Sequence, residues 1–551
     1  MSSTFITNKK PADEQKLRGG YYTPIKLASY LVDWAIRDGT ERILEPSCGD
    51  GNFIKAIIHK ANQERMKSLS CVAIEIEEEE IKKAQKLVRN LDNPLNISWV
   101  FNDFFKEYSD LRTEERFDVL VGNPPFIRFQ YFDEISRSIA FSHLKEANYK
   151  TTKLANIWVA FIQLGIELLR VGGRLAMVVP AELLQVNYAA ELRTRLSRIF
   201  NHVVIVGFKR LVFPDIQQEV VLLLAEGKRE NPGPASDIHT IEFESGEELV
   251  LYDLDNTISH VEAKHSRNGM KWTSLFLSAK AFNSLDEAQL AAGLVPLGEL
   301  ASVDVGIVTG RNSFFVIDPN KRTQLKVEGL TIPIIGRTST LTSAVYTKQD
   351  FNEYKKTNKS YLLTLSGKPY DSFPPELIEY IKTGEEENIH TGYKCRIRRR
   401  WFDVPSVYVP GGFMFRQIHK YPLLVVNEAG ATSTDTIHRV RFNGVSPSHL
   451  AATFFNSLTL AWSEVCGRSY GGGLLELEPR EAEELPIPYN EFSEIDINKV
   501  DDLLKQSRDI EALDYVDDIV LKGTLGFDSL IIRNIRNAWF ELRDRRINRR
   551  K

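Results

Sequence analysis

Hydrophobic and polar positions along the first third of the chain predict strand and helix in alternation. The apolar run "RILEP" at 42–46 is followed by "GNFIKAIIHKANQE" at 51–64, whose apolar residues recur at helical spacing. "CVAIEI" at 71–76 predicts a second strand, and "EEEIKKAQKLVRNL" at 78–91 a helix with carboxylates in its first turn, where they suit the helix dipole. "ISWVFND" (97–103) and "FDVLVGN" (117–123) continue the series. "IWVAFIQLGIELLRVGG" (157–173) predicts a long helix stopped by Gly172 and Gly173. "RLAMVVP" (174–180), "HVVIVGF" (202–208) and "EVVLLLAE" (219–226) predict three more strands. Apolar strands separated by helices predict an α/β fold, an open parallel sheet covered on both faces. Such sheets bind ligands beyond the carboxyl ends of their strands.

Those strand ends carry distinctive chemistry. Glu45-Pro46-Ser47-Cys48-Gly49-Asp50-Gly51 follows the first strand, and Gly49 and Gly51 permit a tight turn with close backbone approach to a ligand. Glu75-Ile76 ends the second, at the distance where a carboxylate holds the ribose hydroxyls of a nucleoside cofactor. Asp103-Phe104 follows the third, an acceptor for an exocyclic amine beside a ring able to cover a flat base. Asn123-Pro124-Pro125-Phe126 follows the fourth; proline after asparagine forces an extended exit, so an amide and a ring are held rigidly at the tip.

Composition narrows the picture. A chain of 551 residues exceeds what one core supports, so at least two domains are expected. The four cysteines form no Cys-x-x-Cys pair, which points away from a zinc site or a disulfide framework, and no metal is expected. No uncharged apolar run approaches the roughly 18 residues of a membrane span, and "MSSTFITNKK" lacks the apolar core of a secretory signal; a cytoplasmic protein without a membrane partner is expected. The net charge of -4 excludes a uniformly basic chain, yet a nucleic-acid partner needs only a local basic face.

In this order the motifs resemble the class I S-adenosylmethionine-dependent methyltransferases, and specifically the gamma-class DNA adenine-N6 methyltransferases of bacterial restriction-modification systems. "GGYYTP" at 19–24, with Tyr22 and Thr23, resembles the cofactor motif that precedes the sheet in that class, and "ILEPSCGDGNF" resembles its glycine loop. Glu75 and Asp103 match the ribose and adenine ligands, and Asn123 to Phe126 the catalytic tetrapeptide, with Phe126 where tyrosine is commoner. The resemblance implies a Rossmann-like class I sheet, S-adenosylmethionine as cofactor and double-stranded DNA as partner. It also implies adenine extruded from the duplex, with a separate cognate restriction endonuclease as a possible companion. "RLVFPDIQQEVVLLL" (210–224) resembles the segment that supplies a second aromatic, which makes Phe213 the candidate. A protein glutamine methyltransferase using the same Asn-Pro-Pro-aromatic chemistry, or a DNA-binding subunit that has lost catalysis, are the alternatives. A loose match to a magnesium nuclease, Pro214-Asp215 with Glu226-Gly227-Lys228, competes with the need for residues 219–226 as the last strand.

Beyond residue 228 the character changes. The expected organisation is a catalytic domain at 1–230, a polar connector at 231–290, a mainly β target-recognition domain at 291–490 and a helical C-terminal segment at 491–551. Basic and aromatic residues concentrate in "YKCRIRRRWFDVP" (393–405). Arg398, Arg399 and Arg400 are candidates for phosphates, and Arg311, Arg337, Arg468 and Tyr470 for bases.

Overall fold

The computed structural model describes residues 22–549 apart from 90, 93–94, 151–155, 213–218, 250–260 and 471, and apart from the side chain of Gln130. The chain divides into two compact units, Met1–Phe276 with Asn548–Lys551, and Leu277–Ile547. No helix among the described residues is long and apolar enough to cross a membrane.

The first unit is built on eight strands: β1 (Arg42–Glu45), β2 (Ser70–Glu75), β3 (Asn96–Phe101), β4 (Phe117–Gly122), β5 (Leu169–Pro180), β6 (Phe200–Phe208), β7 (Val220–Lys228) and β8 (Ile238–Phe243). They pair in the order β3-β2-β1-β4-β5-β7-β6-β8. Neighbours from β3 to β5 are parallel. β7 runs antiparallel to both β5 and β6, where the sequence alternation suggested a wholly parallel sheet. The cause is chain length: only residues 209–219 separate β6 from β7, too few for the crossover a parallel partner requires. β8, from the segment read as a polar connector, pairs parallel to β6, with Ile238, Ile241 and Phe243 buried.

The reversed strand also explains a helix boundary. The long apolar helix ends at Leu168, four residues before Gly172, the first of the glycines that seemed to stop it, and β5 begins at once. Lys228, from the end of β7, donates its Nζ to the carbonyls of Ile166 (2.6 Å) and Leu169 (2.7 Å) and so satisfies that C-terminus. Burial lowers its pKa to about 8. Glu226 pairs with Arg37 at 3.1 Å. The two charged residues of the nuclease-like pattern that are described, Glu226 and Lys228, therefore serve the sheet and its helices.

The second unit is mixed. Its largest sheet takes five short strands, among them Ala301–Asp304, Gly412–Phe415 and Ile437–Phe442, and smaller sheets of four, three and two strands accompany it. Between them run helices such as Lys348–Thr357, Pro375–Glu386 and Ser457–Cys466. Ile497–Lys505, Asp509–Asp517 and Ser529–Asn548 make the chain helical toward its C-terminus.

Candidate cofactor and catalytic site

The ends of β1, β2 and β4 and the turn after β3 border one cavity of about 570 Å³. The loop after β1 is drawn tight: Cys48 N–H donates to Ile74 O and Gly51 N–H to Cys48 O, both at 2.9 Å. Gly51 has φ +87°, and a Cβ there would lie 2.7 Å from that of Ala84, so glycine serves both the turn and the close packing of helices Asn52–Gln63 and Glu78–Val88. Tyr22 lies over this loop, its ring 3.3 Å from where a Gly49 Cβ would stand, and its hydroxyl donates to Glu80 Oε2 at 2.5 Å. Asn52 Nδ2 donates to Thr23 O at 3.1 Å, which ties the entering chain to the same turn.

Carboxylates dominate the walls. Glu75 accepts the backbone N–H of Gly49 on Oε2 (2.8 Å) and that of Glu77 on Oε1 (2.9 Å), so its orientation is set by two loops. Burial raises its pKa while those N–H groups oppose the rise. Glu45 is 1% exposed, and burial, then the charges of Asp50 and Glu75, push its pKa well above the ordinary value. Asp103 spends Oδ1 on the N–H of Phe105 (2.8 Å), capping helix Phe104–Thr113. Three cavity residues keep a buried polar atom with no partner: Thr23 Oγ1, Glu45 Oε2 and Asp103 Oδ2. Such an atom costs about 1–3 kcal/mol of desolvation unless something pairs with it. Two acceptor oxygens and a hydroxyl, with the lone pairs left on Glu75, fit a polar cationic nucleoside such as S-adenosylmethionine.

Of the residues singled out from the sequence, Tyr22, Thr23, Glu45, Pro46, Ser47, Gly49, Glu75, Ile76, Asp103, Phe104, Asn123 and Pro125 all line this cavity. Gly51 lies behind it against Ala84. Ser47 Oγ donates to the Asn123 carbonyl at 3.4 Å, linking the first and fourth strand ends. Phe126 is placed differently: it packs half-buried against the main core and is not among the lining residues. Phe213 lies outside the described residues. Sequence reasoning missed Ile127, Tyr131 and Phe132, which line the cavity just after the tetrapeptide, and Phe161, which stacks on Phe104 with centroids 5.1 Å apart. The aromatic density of "FIRFQYF" was the available signal.

In the second unit the basic run divides. Arg400 holds Asp403 through Nε (2.9 Å) and Nη2 (2.8 Å) and also binds the carbonyls of Leu365 and Lys368. Arg398 is spent on the carbonyls of Val308, Thr309 and Trp401. Arg399 is exposed, as are Arg311 and Arg337. Arg468 pairs with Glu481 at 2.8 Å, and Tyr470 is exposed at the end of strand Arg468–Tyr470.

With β7 reversed between β5 and β6 and a glycine loop after β1, the sheet is that of the class I S-adenosylmethionine-dependent methyltransferases. Comparison with known proteins carries this further. Residues 53–213 match the Eco57I restriction-modification methylase family, and residues 269–521 match the C-terminal domain of the type II methyltransferase M.Eco57I. The type II methyltransferase M.AccI of Acinetobacter calcoaceticus is 24% identical over 494 residues, 85% of each chain. M.XamI of Xanthomonas campestris pv. amaranthicola is 22% identical over 492 residues, again 85% of each. Among solved structures, the type IIG restriction endonuclease BpuSI covers 96% of this chain and 66% of its own at 14% identity and a TM-score of 0.42, too loose a likeness to carry an argument. The chain is a relative of the Eco57I-type restriction-modification methylases in both of its units.

Proposed function

We propose that this protein transfers a methyl group from S-adenosylmethionine to N6 of an adenine extruded from duplex DNA, as the sequence-specific modification enzyme of a restriction-modification system. The observation that supports it most is the presence of Asn123 in the same cavity as Glu75 and Asp103, polar residues at the ends of three strands that follow one another along the chain. When bound, the cofactor supplies an electrophilic methyl on a cationic sulfonium. Glu75 accepts from ribose hydroxyls, Asp103 Oδ2 from an exocyclic amine, and Glu45 adds negative charge to a site for a cation. Adenine N6 is a poor nucleophile because its lone pair is delocalised into the ring. Asn123 Oδ1 and the Pro124 carbonyl accept its two hydrogens and draw it toward tetrahedral geometry, with the two prolines fixing their direction. These bonds strengthen as positive charge develops on the nitrogen, which is the differential stabilisation that lowers a barrier. Phe126, half-buried against the core, and Phe213 are the two proposed covers for the extruded base.

DNA as partner follows from the same reading, with a separate cognate endonuclease as companion. Incubating the full chain with tritiated-methyl cofactor and either duplex DNA or protein is expected to label DNA. Digestion of that DNA should then yield N6-methyladenine. Label confined to protein glutamine, or to cytosine, would overturn the proposal.

A further inference from the structure

In the second unit, the helical turn Tyr393–Arg396 packs against the loop at 308–311. Gly310 has φ +83°, and a Cβ there would lie 3.0 Å from Lys394 Cβ and 3.3 Å from Cys395 Sγ, so only glycine fits the joint. Arg398 braces it from within: Nη2 donates to the carbonyls of Val308 (3.1 Å) and Thr309 (2.8 Å), and Nη1 to that of Trp401 (3.3 Å). Arg400, bound to Asp403, holds the following turn. The run that reads in sequence as three equivalent cations therefore contains two struts.

The outward side of the joint has another composition. Ile397 N–H donates to Tyr393 O at 3.3 Å, one helical turn back, so the two side chains share a side. Tyr393 is 65% exposed and Ile397 61%, with Val308 at 40%. Arg311, Lys394, Arg396 and Arg399 are exposed around them, and no carboxylate pairs with any of the four among the described residues. A rigid joint holding apolar side chains in water beside exposed cations that no carboxylate neutralises has an unmet demand of two kinds. Duplex DNA meets both, because phosphates suit the cations and base steps admit an apolar wedge.

We infer that this joint enters duplex DNA, with Lys394, Arg396, Arg399 and Arg311 on backbone phosphates and Tyr393 and Ile397 inserted against the bases. The choice of DNA as occupant rests on the methyltransferase reading above. The cations that carry contact are the ones no carboxylate holds, Lys394 lying over the Tyr393 ring at 5.7 Å, and the struts only hold them in place.

Two variants of the full chain separate the parts, Lys394→Gln/Arg396→Gln/Arg399→Gln and Tyr393→Ser/Ile397→Ser; both leave Arg398 and Arg400 intact. Binding to a fluorescein-labelled duplex is followed by anisotropy across a salt series, and the DNA bend by energy transfer between its ends. The charge variant is expected to lower the slope of log affinity against log salt by about 2–3 and to weaken binding at least about tenfold. The apolar variant is expected to keep the slope, lose about tenfold in affinity and relax the bend. Arg399→Gln alone, at an exposed side chain without a partner, should lower the slope by about 1 and guards against a misfolded triple variant. Wild-type affinity and slope in the charge variants, or wild-type affinity and bend in the apolar one, would overturn the inference while DNA methylation stands. A wild-type chain that binds acidic protein and no duplex DNA would overturn the methyltransferase reading together with it.

Discussion

Glu45 sits in the cavity wall with Oε2 buried and unpartnered, and burial with the charges of Asp50 and Glu75 raises its pKa well above 4.5. Because the folded pKa lies above the unfolded one, the folded chain binds the extra proton. Its contribution to stability is full below pH 4.5 and is lost as pH rises through the folded pKa. Glu75 and Asp50 are shifted in the same direction by burial, so all three oppose folding as they ionise. A cationic cofactor reverses the balance by favouring the ionised forms. Urea unfolding without cofactor is therefore expected to show stability declining above pH 4.5, less steeply in Glu45→Gln. Calorimetry in buffers of different ionisation enthalpy should show proton release on cofactor binding, reduced in the same variant. Identical pH slopes in the two proteins would remove Glu45 from this role.

The glycine loop shows how an element is specified. Gly51 combines φ +87° with a would-be Cβ 2.7 Å from Ala84, whereas Gly172 has φ +82° and nothing within 4 Å. Gly172→Ala should therefore cost only the left-handed penalty, about 1–2 kcal/mol. Gly51→Ala adds overpacking of about 1–3 kcal/mol and should also weaken cofactor binding, since the loop must shift to admit the methyl group. Denaturant unfolding of both variants checks the difference, and equal losses would mean that the two helices part without cost. At this scale much was legible, because glycine spacing and apolar periodicity are local properties of the chain. The run at 398–400 was less so: nothing in three consecutive arginines distinguishes Arg399, exposed, from Arg398 and Arg400, which brace carbonyls and Asp403.

For the whole molecule, the cavity carboxylates belong to one unit and the wedge to the other, so their effects on binding should separate. Glu75→Ala is expected to weaken cofactor binding by about 1.5–3 kcal/mol, as lost charge-assisted hydrogen bonds do, with DNA affinity nearly kept. Asn123→Ala should keep both affinities and lower kcat on the order of 10²-fold, the pattern of a group acting in the transition state. Calorimetry and single-turnover methylation test the pair. Loss of cofactor binding in Asn123→Ala would make that side chain a structural part of the cavity.

What the sequence determined by itself was the run of strands β1 to β7, the helices after β1 and β2, and the residue types that stand at the strand ends. These follow from spacing and turn residues within a few positions of each other. Only the tertiary structure decided that β7 runs backward, that Lys228 closes a helix more than fifty residues away, and that Phe126 packs against the core while Tyr131 and Phe132 line the cavity. Phe161 reaching Phe104, and Arg398 reaching Val308, are of the same kind. Each of these depends on which distant residue takes a polar or apolar surface first, and pairing of that sort has no period along a chain.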